Sequence, residues 1–185
     1  MKFLNSPLFR LLLVIFGIAS DQYSKWLVRA HFILPDGSPD YFKTIPVIGE
    51  WLQFRLVFNS GAAFGMRPQS LLPFLHPTLF YLLISILAIS GLFWYYSKLP
   101  KEDWISKLAT ALIFSGAIGN LTDRVIFHKV TDFLYAGIPG VEPHWPNFNL
   151  ADSWVCIGVV LIIASPLFAP KPETVSIPNP ESTNA

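Results

Sequence analysis

Three stretches of the chain are apolar for long enough to cross a bilayer, a fourth is nearly so, and one short run alternates instead. Residues 78–96 carry no charge and end in Phe93, Trp94, Tyr95 and Tyr96, the aromatic belt of a membrane interface. Residues 104–127 and 150–169 predict two more spans. The first of these holds Ser115, Gly116, Ala117 and Gly119, small residues that let helices approach closely in lipid. Near the start, Lys2 and Arg10 precede an apolar run from Leu11 to Ala19 and Ser20. That pattern fits a cleaved secretory leader or a first span over residues 8–29. The span is favoured because the apolar pattern continues through Tyr23, Trp26, Leu27 and Val28. Between the first two spans, Leu52, Phe54, Leu56 and Phe58 alternate with Gln53 and Arg55, the period of a half-buried strand.

Composition agrees with a membrane protein. Only 14% of the 185 residues are charged and 52% are hydrophobic, against about 25% charged in a soluble domain. A net charge of +1 without a basic stripe predicts no nucleic-acid partner. The single cysteine, Cys156, rules out an internal disulfide and Cys-x-x-Cys metal clusters. It reads as small apolar packing in the last span. The histidines, His31, His76, His128 and His144, lack metal-ligand spacing, so no metal and no cofactor are expected. From Pro170 the chain turns to Pro, Glu, Ser, Thr and Asn, a composition that predicts a disordered tail over residues 170–185. The expected architecture is all-α: one four-helix membrane domain over residues 1–169, with a small extracytoplasmic sheet near residues 40–60. A loop from Phe133 to Phe148 is expected to cover the site. Lys2, Arg10, Lys98, Lys101, Lys107 and Lys171 flank one side in short segments, while Arg29, Lys43, Arg55, Arg67 and Lys129 are spread over longer loops. Positive-inside counting then puts both termini in the cytoplasm.

This topology brings costly polar residues to one leaflet. Asp21 lies late in the first span, Asn120, Asp123 and Arg124 late in the third, Asp132 just beyond it, and Asp152 at the start of the fourth. Ionisable groups at such depth mark function by default. Asp21 and Lys25 are four apart and share a helix face. Asp123 adjoins Arg124, which suggests a structural ion pair between them, or a positioning role. Asp132 and Asp152 both lie where water is expected to reach. Asn149 reads as a helix cap, Asn59 as a turn residue or a substrate-contacting amide, and Asn120 as a bond across helices. His144 and Trp145 read as the lining of a substrate entrance or as membrane anchors. By spacing alone the cluster admits structural pairs, a proton or ion relay, a scaffold, or hydrolysis by paired carboxylates that share one proton.

Five motifs narrow this. Asp21-Gln22-Tyr23-Ser24-Lys25 resembles Asp-Gln-x-x-Lys, and Asn59-Ser60-Gly61-Ala62-Ala63-Phe64 resembles Asn-x-Gly-Ala-Ala-Phe. Gly119-Asn120-Leu121-Thr122-Asp123-Arg124 resembles Gly-Asn-x-x-Asp-Arg. Val130-Thr131-Asp132-Phe133 and Phe148-Asn149-Leu150-Ala151-Asp152 resemble Val-x-Asp-Phe and Phe-Asn-x-Ala-Asp. In this order the motifs resemble the signal peptidase II family of bacterial aspartic proteases over nearly the whole chain. The resemblance implies that Asp132 and Asp152 are a catalytic dyad. It implies supporting roles for Asp21, Lys25, Asn59, Gly61, Asn120, Asp123, Arg124, Asn149 and Ala151. It further implies prolipoproteins carrying diacylglycerol as substrates, cleavage before the lipidated cysteine, and contact with membrane lipids. A monomer in the bacterial inner membrane, with its site at the periplasmic face, is the corresponding expectation.

Overall fold

A computed structural model of the chain describes residue 3 and residues 5–61, 76–141 and 145–168. Four helices, each long and apolar enough to cross a membrane, carry a three-stranded antiparallel sheet. The order is α1 (Pro7–Phe32), β1 (Ile45–Ile48), β2 (Leu52–Asn59), α2 (Pro77–Lys98), α3 (Trp104–Phe127), β3 (Val130–Ala136) and α4 (Leu150–Ala164), with a 3-10 turn over Ser165–Phe168.

Pro7 opens α1 in the first turn, where a missing N–H costs nothing. The helix then runs three residues past the expected end, to Phe32, because Val28 and Phe32 are buried against the sheet. Asp103 caps α3 by accepting from Ser106 N at 3.0 Å. α3 ends at His128, whose φ of 58° is left-handed. That turn reverses the chain directly into β3.

α3 is the central helix. Of its apolar stretch 61% is buried, against 6% for α2, whose Leu83, Leu87 and Phe93 face outward. Small residues set the spacing. A Cβ at Gly116 would strike the carbonyl oxygen of Ala151, and one at Gly158 would come within 2.5 Å of Ile113 Cγ1. Cys156, expected in packing, is instead exposed on the outward side of α4.

The sheet order is β1-β2-β3. Val57 pairs with Asp132, Phe58 with Thr131 and Asn59 with Val130. The core beneath it joins Leu56 and Phe133 to Val28 and Phe32. β3 is a departure from expectation. The covering loop was to begin at Phe133, yet residues 130–136 form the third strand, and Phe148 returns to bridge Leu134. The expected turn residues 62–65, His144 and the tail lie outside the described residues.

Candidate active site

The start of α4 holds the site together. Asn149 Oδ1 accepts from Asp152 N at 3.0 Å, and Asp152 Oδ2 accepts from Asn149 N at 3.1 Å. This reciprocal capping box satisfies amides that a helix N-terminus leaves free. The Asn149 side chain also reaches the sheet: its Nδ2 donates to Asp132 Oδ1 at 2.7 Å. One asparagine therefore contacts both carboxylates, one through its backbone and one through its side chain.

Each carboxylate has a second amide. Asn59 Nδ2 donates to Asp132 Oδ2 at 3.0 Å, and Asn120 Nδ2 donates to Asp152 Oδ1 at 2.8 Å. Gly61 contributes through its backbone: its N–H donates to Asn59 Oδ1 at 2.9 Å, which turns the amide so that its NH2 faces Asp132. Among the described residues, the ion pairs join Asp21 and Asp123 to cations and leave Asp132 and Asp152 with amides alone. Asp132 is 3% exposed, so the expectation of an open, water-facing position is corrected. Strand pairing and the return of Phe148 enclose it. Burial pushes its carboxyl up to about 6, the charge of Asp152 adds to the rise, and the Asn59 and Asn149 amides oppose it.

A second polar cluster lies behind the first. Lys25 Nζ is 2.8 Å from Asp21 Oδ2 and 3.5 Å from Asp123 Oδ2, and it donates to Asn120 Oδ1 at 2.9 Å. Asp21 Oδ1 accepts from Ala151 N at 2.9 Å. It thus places a negative charge at the positive end of α4. Gly119 makes this possible, since a Cβ there would lie 2.6 Å from Asp21 Oδ2. The expected Asp123–Arg124 pair does not form. Neighbours on a helix point about 100° apart. Asp123 turns inward to Lys25 and to Arg29 Nη1, the latter 3.7 Å away. The Arg124 guanidinium lies 5.6 Å from the Tyr81 ring centroid.

Gln22, Arg29, Thr131 and Tyr81 join these networks without having been singled out from the sequence. Gln22 and Thr131 sit inside recognised motifs. Arg29 continues the four-residue spacing of Asp21 and Lys25, and that spacing could have found it. Trp145 lines an open apolar groove with Trp51, Ile138, Val141 and Phe148, beyond the end of β3. Among the described residues no three His, Cys, Asp or Glu side chains gather in a way that could hold a metal ion.

A family model described as Signal peptidase (SPase) II matches residues 13–168. The chain belongs to the signal peptidase II family. A lipoprotein signal peptidase of Bacillus velezensis is 34% identical over 157 residues, covering 85% of this chain and 92% of that protein. One of Geobacter sulfurreducens is 38% identical over 136 residues, covering 74% and 81%. A bacterial membrane enzyme solved by the in meso method superposes with a TM-score of 0.71 at 29% identity, over 89% of this chain and 92% of that one. This signal peptidase II chain is accordingly a multi-pass membrane peptidase.

Proposed function

We propose that the chain removes the signal peptide from diacylglyceryl-modified prolipoproteins, with Asp132 and Asp152 sharing one proton. The observation that carries this reading is the pair of carboxylates on either side of Asn149, each held by neutral amides. Amide donors orient a carboxylate without neutralising it. Two such groups close together cannot both ionise easily, and the raised Asp132 carboxyl is consistent with that. The ionised partner takes a proton from water as the water attacks the scissile carbonyl. The protonated partner first donates to the developing oxyanion, and a proton then passes to the leaving amine. The products are the free signal peptide carboxylate and the amine of the lipidated cysteine.

Topology supports the substrate. The carboxylates lie where strand β3 and helix α4 meet, at one end of four spans. A lipid anchor can stay in the bilayer there while the peptide bond is held under the sheet. The exposed groove at Trp51 and Trp145 suits residues beyond the cut. Cytoplasmic termini, a periplasmic site in the bacterial inner membrane and a monomeric enzyme complete the proposal.

Incubating the purified protein with a diacylglyceryl-modified prolipoprotein peptide should release the signal peptide, read as a mass shift. The unlipidated peptide should remain whole. Cleavage that persists in a folded Asp152→Asn protein would remove the dyad from this account.

A further inference from the structure

Arg29 is outside all five motifs, yet it touches the strand that carries Asp132. It stands in the last turn of α1 with its side chain 17% exposed. Its Nη1 donates to Thr131 Oγ1 at 2.8 Å and lies 3.7 Å from Asp123 Oδ1. Its guanidinium carbon sits 4.3 Å from the Phe127 ring centroid, a distance at which a cation is attracted to an aromatic face. Three contacts from two elements therefore fix its position.

Thr131 is fully buried and is held on its other sides as well. Its N–H donates to Asp123 Oδ2 at 2.8 Å, and its carbonyl accepts from Asn149 Nδ2 at 3.4 Å. That carbonyl belongs to the peptide plane that leads into Asp132. The tilt of this plane sets where the Asp132 side chain begins. Charge adds a second reason. Asp21 and Asp123 carry two negative charges, and Lys25 supplies one positive charge. Arg29 brings the buried cluster to neutrality.

We infer that Arg29 is a positioning residue for the peptidase reaction. It acts through the Thr131 hydroxyl to hold β3 so that Asp132 stays aligned with Asp152. This rests on the reading of Asp132 as one of the dyad.

The test measures kcat, KM and Tm of the full chain on the lipid-modified peptide, for Arg29→Met, Arg29→Lys, Thr131→Val, the Met/Val double variant and Asp132→Asn. Small displacements of a reacting group cost up to about 100-fold, so Arg29→Met and Thr131→Val should each lower kcat by about 10- to 100-fold. A loss confined to alignment leaves KM within about twofold. The double variant should be no worse than the poorer single one, because both break one route. Arg29→Lys, which keeps the charge, should recover part of kcat. Thr131→Val preserves shape and keeps the test decisive if Arg29→Met fails to fold. An unimpaired Thr131→Val protein, multiplied losses in the double variant, or a loss wholly in KM or Tm overturns the role of Arg29. An active Asp132→Asn protein overturns the dyad itself. An inactive one beside an unimpaired Thr131→Val protein overturns Arg29 alone.

Discussion

Two pairs of aspartates sit in adjoining networks, linked through Asn120, and are held in opposite ways. Asp21 and Asp123 face Lys25 and Arg29. Asp132 and Asp152 face the amides of Asn59, Asn120 and Asn149. Cations neutralise the first pair and make it a framework joining α1, α3 and α4. Amides orient the second pair without neutralising it. Residue type is the same in both, so the partner decides whether a carboxylate is neutralised by a cation or only oriented by amides.

The sharpest separation comes from removing one charge in each pair. Asp132→Asn and Asp152→Asn should each cost at least about 10³-fold in kcat, as loss of one member of a catalytic unit does, while Tm stays close to that of the parent. Lys25→Met should do the reverse. Stripping one partner from a buried ion pair costs about 3–5 kcal/mol, so unfolding in detergent should show a large stability loss. A stable Lys25→Met protein would break the comparison.

Asn149→Ala should touch both sides of the divide. It removes the cap, worth about 1 kcal/mol, and the amide on Asp132. A kcat loss of about 100-fold from the displaced carboxylate, with a Tm drop smaller than that of Lys25→Met, is the expected result.

The mildest effect is graded with pH. With the Asp132 carboxyl at about 6, the singly protonated pair is depleted as pH rises past that value. Cleavage should fall by about tenfold from pH 5 to pH 7 if this titration governs the pair. Stability follows the same sign. A carboxyl raised from 3.8 to about 6 on folding favours the fold at low pH. That advantage is lost as pH climbs through this window, by roughly 3 kcal/mol. In Asp132→Asn the slope of stability over pH 4–6 should flatten; an unchanged slope would assign it to another group.

The helices were legible because apolar runs of this length have one reading, and α3 and the start of α4 fall at the expected residues. The β2 alternation was equally plain. β3 was not, since Val130, Thr131, Asp132 and Phe133 show no clean alternation, and their pairing with β2 spans more than seventy residues of chain. The same non-local pairing encloses Asp132, whose position after a helix end suggested open water. At Asp123 the misleading cue was adjacency: Arg124 is next in the chain but points elsewhere on the helix. Its true second partner, Arg29, was visible only as a spacing.

The capping box at Asn149 has a consequence for biogenesis. Asn149 and Asp152 come with the last span to be synthesised, after Asp132 has already been made. A chain whose final helix has not wound its first turn has Asp132 and its Asn59 amide, but neither the Asn149 amide nor Asp152 beside it. Winding that turn and docking it against Asp21 bring Asn149 and Asp152 to Asp132 in one step. If the two aspartates are the dyad proposed above, a half-inserted copy should be inactive until its last helix docks.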